Sequence, residues 1–256
     1  MKAMLLAAGR GERMRPLTDR VPKPLLEAGG KPLIVWHIEK LAAAGFREVV
    51  INHAWLGEQI PAALGDGSAL GVHLQYSAES TGGLETAGGI ARALPLLTEG
   101  ESANAPFAVI SSDVWSDADY GQLHAVAGRL AAGEGDCWCL MASNPPHHPQ
   151  GDFVLREGYL HLRPDAGAGA QNPADTGAED GSGAPGLTYS GIGVFCPAMF
   201  SHIADGMVVP LRPLLELAID AGRALGAHHE GQWFDIGTPE RLAQLNTLLG
   251  HQASSS

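Results

Sequence analysis

The chain has 256 residues, 45% of them hydrophobic, and a formal net charge of -12. That length suits one large α/β domain or two small ones with a substantial core, and the acidic balance excludes a nucleic-acid scaffold, whose duplex-facing surface must be positive. Three cysteines are too few for a disulfide framework, no segment reaches bilayer-spanning length, and no apolar leader opens the chain, so a cytoplasmic protein without membrane attachment is expected.

An apolar strand is predicted over Met4 to Ala8, running into the turn Gly9-Arg10-Gly11, with Arg13 and Arg15 close behind and Lys23 following Pro22. Glycines let backbone N–H groups approach phosphate oxygens, and nearby cations neutralise their charge. The chain therefore opens on a triphosphate cradle. Beyond it, Ile34, Ile38, Leu41 and Ala42 share one helical face that Gly45 terminates. Val49–Ile51 reads as a short buried strand, Leu56 to Leu64 as a helix, Val72 to Tyr76 as an alternating strand and Thr86 to Leu97 as a helix. The next inner strand, Phe107 to Ile110, leads through a polar loop to a helix over Tyr120–Leu130. A strand over Cys137–Met141 follows, with Cys137 and Cys139 buried on one face. Such alternation implies a mostly parallel sheet flanked by helices.

The second half is less regular. Phe153–Leu155 and Tyr159–Leu162 form a plausible hairpin, and helices are expected over Leu211–Ala224 and Pro239–Leu249, the latter capped by Thr238. Residues 163–186, rich in Gly, Ala, Asp and Pro, read as a flexible surface insertion in a single domain spanning 1–250, and 251–256 as a disordered tail. His147-His148 reads as a pair of partly exposed loop imidazoles, and Asp117 and Asp119 as solvated loop carboxylates. No serine or cysteine is placed as a nucleophile.

Two phosphate-binding patterns fail. A dinucleotide fingerprint needs glycine where Met14 stands, and Gly-Lys-Ser/Thr does not occur. What remains, Gly9-x-Gly11-x-Arg13-x-x-Pro16 with Pro22-Lys23, resembles the signature of sugar-1-phosphate nucleotidyltransferases. In order follow Asn52–Gly57, Leu84–Gly89, Asp113-Val114-Trp115, Gly151-Asp152-Phe153, Ser190-Gly191 and Trp233–Thr238. These blocks look most like the branch acting on N-acetylmuramate α-1-phosphate.

The resemblance implies a Rossmann-like α/β fold with a small irregular acceptor-binding part. It also implies in-line attack of a sugar-1-phosphate on the α-phosphorus of UTP, in peptidoglycan recycling. Its residue assignments carry over as expectations. Arg13 would hold the departing phosphates, Lys23 the α-phosphate, and Asp113 with Asp235 a Mg²⁺ ion, Arg13, Lys23 and Asp113 being the catalytic set. Arg15 is a second-rank candidate. Ala8, Gly9, Gly11, Glu12, Glu79 and Gly83 would complete the nucleotide site. Ser111, Ser143, Asn144, Asp152, Ser190 and Gly191 would contact the acceptor, with Ser111 and Ser143 standing where relatives usually carry Asn and Asp. Another base or acceptor, phosphocholine included, is the alternative within enzymes, and a non-catalytic nucleotide-sugar sensor the alternative outside them. The chain is expected to be a monomer.

Overall fold

A computed structural model describes residues 1–80, 82–102, 104–163 and 186–253. It opens with β1 (Ala3–Leu6), the glycine loop and three single turns of 3-10 helix. A two-residue hairpin, β2 (Glu27–Ala28) and β3 (Lys31–Pro32), leads into α1 (Leu33–Ala43). Then come β4 (Glu48–His53), α2 (Gln59–Leu64), β5 (His73–Ala78), α3 (Glu85–Thr98), β6 (Phe107–Ser111), β7 (Val114–Ser116) and α4 (Gln122–Ala131). The remainder is β8 (Cys137–Ala142), β9 (Val154–Arg156), β10 (Tyr159–His161), β11 (Thr188–Phe195), α5 (Arg212–Asp220), β12 (Ala224–His229), β13 (Trp233–Asp235) and α6 (Pro239–Ala253).

One nine-stranded sheet organises the chain in the order β5-β4-β1-β6-β11-β8-β12-β10-β9. Pairing is parallel from β5 through β6 and between β8 and β12, while β11 and β10 run opposite to their neighbours. Seven of the nine strands therefore point one way, as the mostly parallel reading requires. Strands covered on both faces must be apolar throughout, and consecutive residues divide accordingly. Ala3, Leu5, Val49, Ile51, Ala108, Ile110, Trp138 and Leu140 pack with Ile34, Ile38 and Leu41 of α1 and Leu123, Val126 and Leu130 of α4. Met4, Val50, Phe107, Val109, Cys137, Cys139 and Met141 pack on the opposite face with Ile90 and Leu97 of α3 and Leu214, Leu215 and Ile219 of α5. A third cluster, built on Met14, Leu33, Trp115, Ile236 and Leu245, docks α6 against the loop after β1. Burying each large side chain contributes roughly 1.5–3 kcal/mol.

Several expected boundaries move. The helix expected from Leu56 begins at Gln59 because Leu56 adopts φ 51 in a turn. The helix expected to reach Ala224 stops at Asp220, and Gly222 at φ 67 reverses the chain into β12, an inner strand whose Ala-His-His stretch carries little β signal. The polar loop after β6 contains β7, which pairs with β13. The hairpin over β9 and β10 forms as expected. Backbone helix continues through Ala253, so residues 251–253 of the expected tail are helical. Residues 254–256 and the expected insertion, apart from Arg163 and Gly186 at its ends, lie outside the described residues.

Candidate active site

The strands β5, β4, β1 and β6 end at one edge of the sheet, where a parallel α/β fold opens its crevice. A single chain of hydrogen bonds ties three of those ends together. The Ala7 N–H donates to Asn52 Oδ1 at 2.8 Å, Asn52 Nδ2 donates to Glu79 Oε1 at 2.6 Å, and the Leu84 N–H donates to Glu79 Oε2 at 2.8 Å. The fourth end is held by Ser112, whose N–H and hydroxyl both donate to the Leu6 carbonyl. These bonds hold the walls of a cavity of about 430 Å³ lined by Ala8, Gly9, Arg10, Lys23, Asn52, Glu79, Gly82, Ser111 and Asp113, among others.

Gly11 adopts φ +67, and a Cβ there would lie 3.0 Å from Thr18 Cγ2 and 3.3 Å from Lys23 Cβ. Only glycine lets the loop fold back onto the lysine in this way. Lys23 is itself only 7% exposed, and its Nζ lies 2.7 Å from Asp113 Oδ2. Burial makes this cation costly unless paired, and Asp113 supplies the pair.

Asp113 and Asp235 meet through the β7–β13 ladder. Asp235 is opposite Val114, and the Ile236 N–H donates to the Asp113 carbonyl at 2.9 Å. Asp235 pairs with Arg241 and lies 3.1 Å from His147 Nε2. Among the described residues no group of three or more His, Cys, Asp or Glu could hold a metal alone. Two hard carboxylates on adjoining strands fit a cation that completes its shell with phosphate and water, which is the habit of Mg²⁺.

Behind β7, α1 supplies the bonds that its free edge lacks. His37 Nε2 bonds the Val114 carbonyl at 2.8 Å, His37 Nδ1 meets the Tyr120 hydroxyl at 2.8 Å, and Lys40 Nζ donates to the Ser116 carbonyl at 2.6 Å. Burial lowers the His37 pKa from 6.5 to about 4, against the opposing pull of the Val114 hydrogen bond. The ring is neutral, so Nε2–H donates to Val114 and Nδ1 accepts from Tyr120.

A second cavity, of about 550 Å³, adjoins the first and shares Leu6, Glu85, Thr86 and Ser111 with it. Its further lining includes His147, His148, Asp152, Phe153, Tyr189, Gly191, Arg212, Trp233 and Asp235. The antiparallel insertion of β11 beside β6 brings Gly191 to Ser111. At φ +80, a Cβ on Gly191 would sit 2.9 Å from Ser111 Cβ. Asp152 is fixed by the Tyr189 N–H at 2.9 Å and by His148 at 3.2 Å. Glu85 takes φ 60, a left-handed conformation rare outside glycine, where the two cavities meet.

Of the residues expected from the sequence, Ala8, Gly9, Lys23, Glu79, Ser111, Asp113, Asp152, Gly191 and Asp235 line one cavity or both. Gly11 buttresses the loop from behind. Glu12, Arg13 and Gly83 do not line either cavity: Glu12 pairs with Arg10 and Arg15, Arg13 is exposed, and Gly82 takes the lining place expected of Gly83. Ser143 meets His228 at 3.1 Å and lines neither cavity. Asn144 spends its amide on the Pro149 and Gly186 carbonyls and on Thr188, clamping the loop rather than lining it. Ser190 is fully buried and serves through its carbonyl, which accepts from Trp233 at 2.9 Å. Arg15 pairs with Asp19 on the surface.

Sequence reasoning did not single out Arg10, which lines the first cavity with its guanidinium 3.9 Å above the Trp55 ring, nor Asn52, Glu85, Arg212 and Arg241. The histidine pair read as loop imidazoles is part-exposed as expected, yet it lines the second cavity. The loop's fold over Asp152 and Asp235 carries it there, and local sequence holds no trace of that contact.

A sequence profile of the nucleotidyl transferase family matches residues 2–149, the stretch holding the glycine loop, Lys23, Asn52, Glu79 and Asp113. The chain belongs to that family. It is 48% identical to N-acetylmuramate alpha-1-phosphate uridylyltransferase of Neisseria meningitidis over 98% of its own length and 99% of the relative's. A protein of the same description from Caulobacter vibrioides is 33% identical over 93% and 92%. Among solved structures, a putative glucose-1-phosphate thymidylyltransferase from Bacillus anthracis superposes with a TM-score of 0.74 at 20% identity, over 97% of this chain and 95% of that one. HddC from Yersinia pseudotuberculosis superposes at 0.70 and 18%, over 96% and 98%. At those identities the likeness establishes the fold of this nucleotidyl transferase, and the two sequence relatives locate it within the family.

Proposed function

We propose that this protein is a Mg²⁺-dependent uridylyltransferase that joins UTP and N-acetylmuramic acid α-1-phosphate, releasing pyrophosphate, in the cytoplasmic recycling of peptidoglycan. The observation that carries the reading is the pair of adjoining cavities, one beside the glycine loop, sharing a wall at Ser111 with the Lys23–Asp113 pair on the nucleotide side. The near full-length likeness to two relatives described as such enzymes supports the same conclusion.

The chemistry is alignment and charge neutralisation. An oxygen of the acceptor's phosphate attacks the α-phosphorus; the bond from that phosphorus to the bridging oxygen of the β-phosphate breaks, and pyrophosphate carries away the electron pair. Lys23 offers its ammonium to the charge that accumulates on the α-phosphate, and the backbone at Ala8 and Gly9 holds the triphosphate. Arg10 is the second cation lining the nucleotide cavity. Asp113 and Asp235 would hold Mg²⁺, which supplies further charge neutralisation across the phosphates. Asp152 and the Gly191 backbone orient the sugar.

Pyrophosphate release should be measured with Mg²⁺ across a matrix of nucleoside triphosphates and sugar 1-phosphates. Turnover confined to UTP and the muramyl acceptor supports the proposal. Turnover with hexose 1-phosphates alone, or with another base, replaces it by a different transfer, and binding without turnover replaces it by a sensor.

A further inference from the structure

We infer that Arg212 reads a carboxylate on the acceptor, so that the second cavity selects a sugar phosphate bearing an additional acidic group. This rests on the uridylyl-transfer reading above. Among the described residues lining that cavity Arg212 is the one Arg or Lys, and it does not line the nucleotide cavity. Lys23 and Arg10 are the basic side chains of the phosphate region, which leaves Arg212 as a cation that phosphate chemistry does not use.

Its setting suits that task. Arg212 is the first residue of α5, with its guanidinium carbon 5.3 Å from the centroid of the Phe153 ring and with Leu211 and Leu215 beside it. An aromatic face and apolar neighbours on one side hold the planar group in place for a two-pronged bond to a carboxylate. Its present partners are easily exchanged. Nε donates to Glu216 Oε1 at 2.8 Å, one turn along the same helix, and a half-exposed pair of that kind adds little stability. Nη1 stands 3.7 Å from Asp152 Oδ1, beyond hydrogen-bond reach, while Asp152 is already engaged by Tyr189 and His148. The other acids of the cavity, Glu85 and Asp235, make a carboxylate-bearing ligand unwelcome unless a cation receives it. N-acetylmuramic acid differs from N-acetylglucosamine by a lactyl ether ending in such a carboxylate, which makes it the acceptor class that Arg212 fits.

The test compares kcat/KM for N-acetylmuramic acid α-1-phosphate with that for the same compound esterified at the lactyl carboxylate, in wild type, Arg212→Gln and Arg212→Lys. Wild type is expected to prefer the acid at least tenfold, Arg212→Gln to lose that preference, and Arg212→Lys to recover part of it. The acid-to-ester ratio is blind to a general structural role, since unfolding or a displaced α5 would weaken both acceptors alike. An unchanged ratio in Arg212→Gln, or a wild type indifferent to esterification, overturns the role of Arg212 while uridylyl transfer stands. A wild type that transfers to neither compound overturns the underlying reading and this inference with it.

Discussion

The cavity proposed for the nucleotide and the one proposed for the acceptor share a wall but are built by opposite means. The first rests on four neighbouring parallel strands, with Ala8, Asn52, Glu79, Ser111 and Asp113 within two residues of the strand ends and Lys23 brought in by the 3-10 turn Lys23–Leu25. The second is assembled from a loop after β8, the antiparallel strand β11, the start of α5 and the short strand β13. Backbone geometry brings the strand-end members of the first set together, because parallel strands of one sheet all finish at the same edge. Nothing comparable directs the second set, whose members meet only after the chain has crossed the sheet several times. A phosphate cradle can therefore stay the same in a family while the acceptor side is reworked.

The largest effect is expected in the first cavity, at the partner of Lys23. Asp113→Asn should lower turnover by about 10³-fold or more, the scale of losing a principal electrostatic group, with the melting temperature within a few degrees of wild type. An unaltered rate would break the link between the Lys23 pair and the chemistry.

Stability should bear the mark of His37, which braces β7 from α1. Its pKa falls from 6.5 to about 4 on folding, so between those values the unfolded chain binds the additional proton. Stability is thus fully present above pH 6.5 and lost as pH falls toward 4, by about 3 kcal/mol. Denaturation of wild type and His37→Gln over this range should show a steeper acid loss in wild type; parallel slopes would remove the buried neutral imidazole from the account.

Asn52→Ala should be intermediate. It cuts the hydrogen-bond chain from Ala7 to Glu79 and leaves buried partners unmet, costing about 1–3 kcal/mol. The KM for UTP should rise more than that for the acceptor, and an equal rise for both would mean that the two cavities act as one. Gly191→Ala makes the complementary change through its left-handed φ and its 2.9 Å approach to Ser111. A loss of about 1–3 kcal/mol and a raised acceptor KM are expected, checked by denaturant titration and steady-state kinetics. The smallest effect belongs to Ser143→Ala. Family position makes Ser143 an acceptor contact, but its hydroxyl meets His228 outside the cavity, so acceptor kinetics should change less than about threefold, within the usual range for a surface substitution.

By itself the sequence determined the strand–helix alternation and the glycine loop with Lys23, whereas Asp113 and Asp235 were paired through the family resemblance alone. The alternation and the loop follow from local rules: an inner strand must be apolar on both faces, and a tight turn beside a phosphate needs glycine. The resemblance also proposed Arg13, Gly83, Ser143 and Asn144, none of which lines either cavity, because a motif preserves spacing without recording which way each side chain turns. Tertiary structure decided that Arg10 lines the first cavity, that His147 and His148 close over Asp235 and Asp152, and that Arg212 stands among the walls of the second. Contacts between residues so far apart in sequence depend on crossovers and loop paths, and no periodicity within a single segment encodes them.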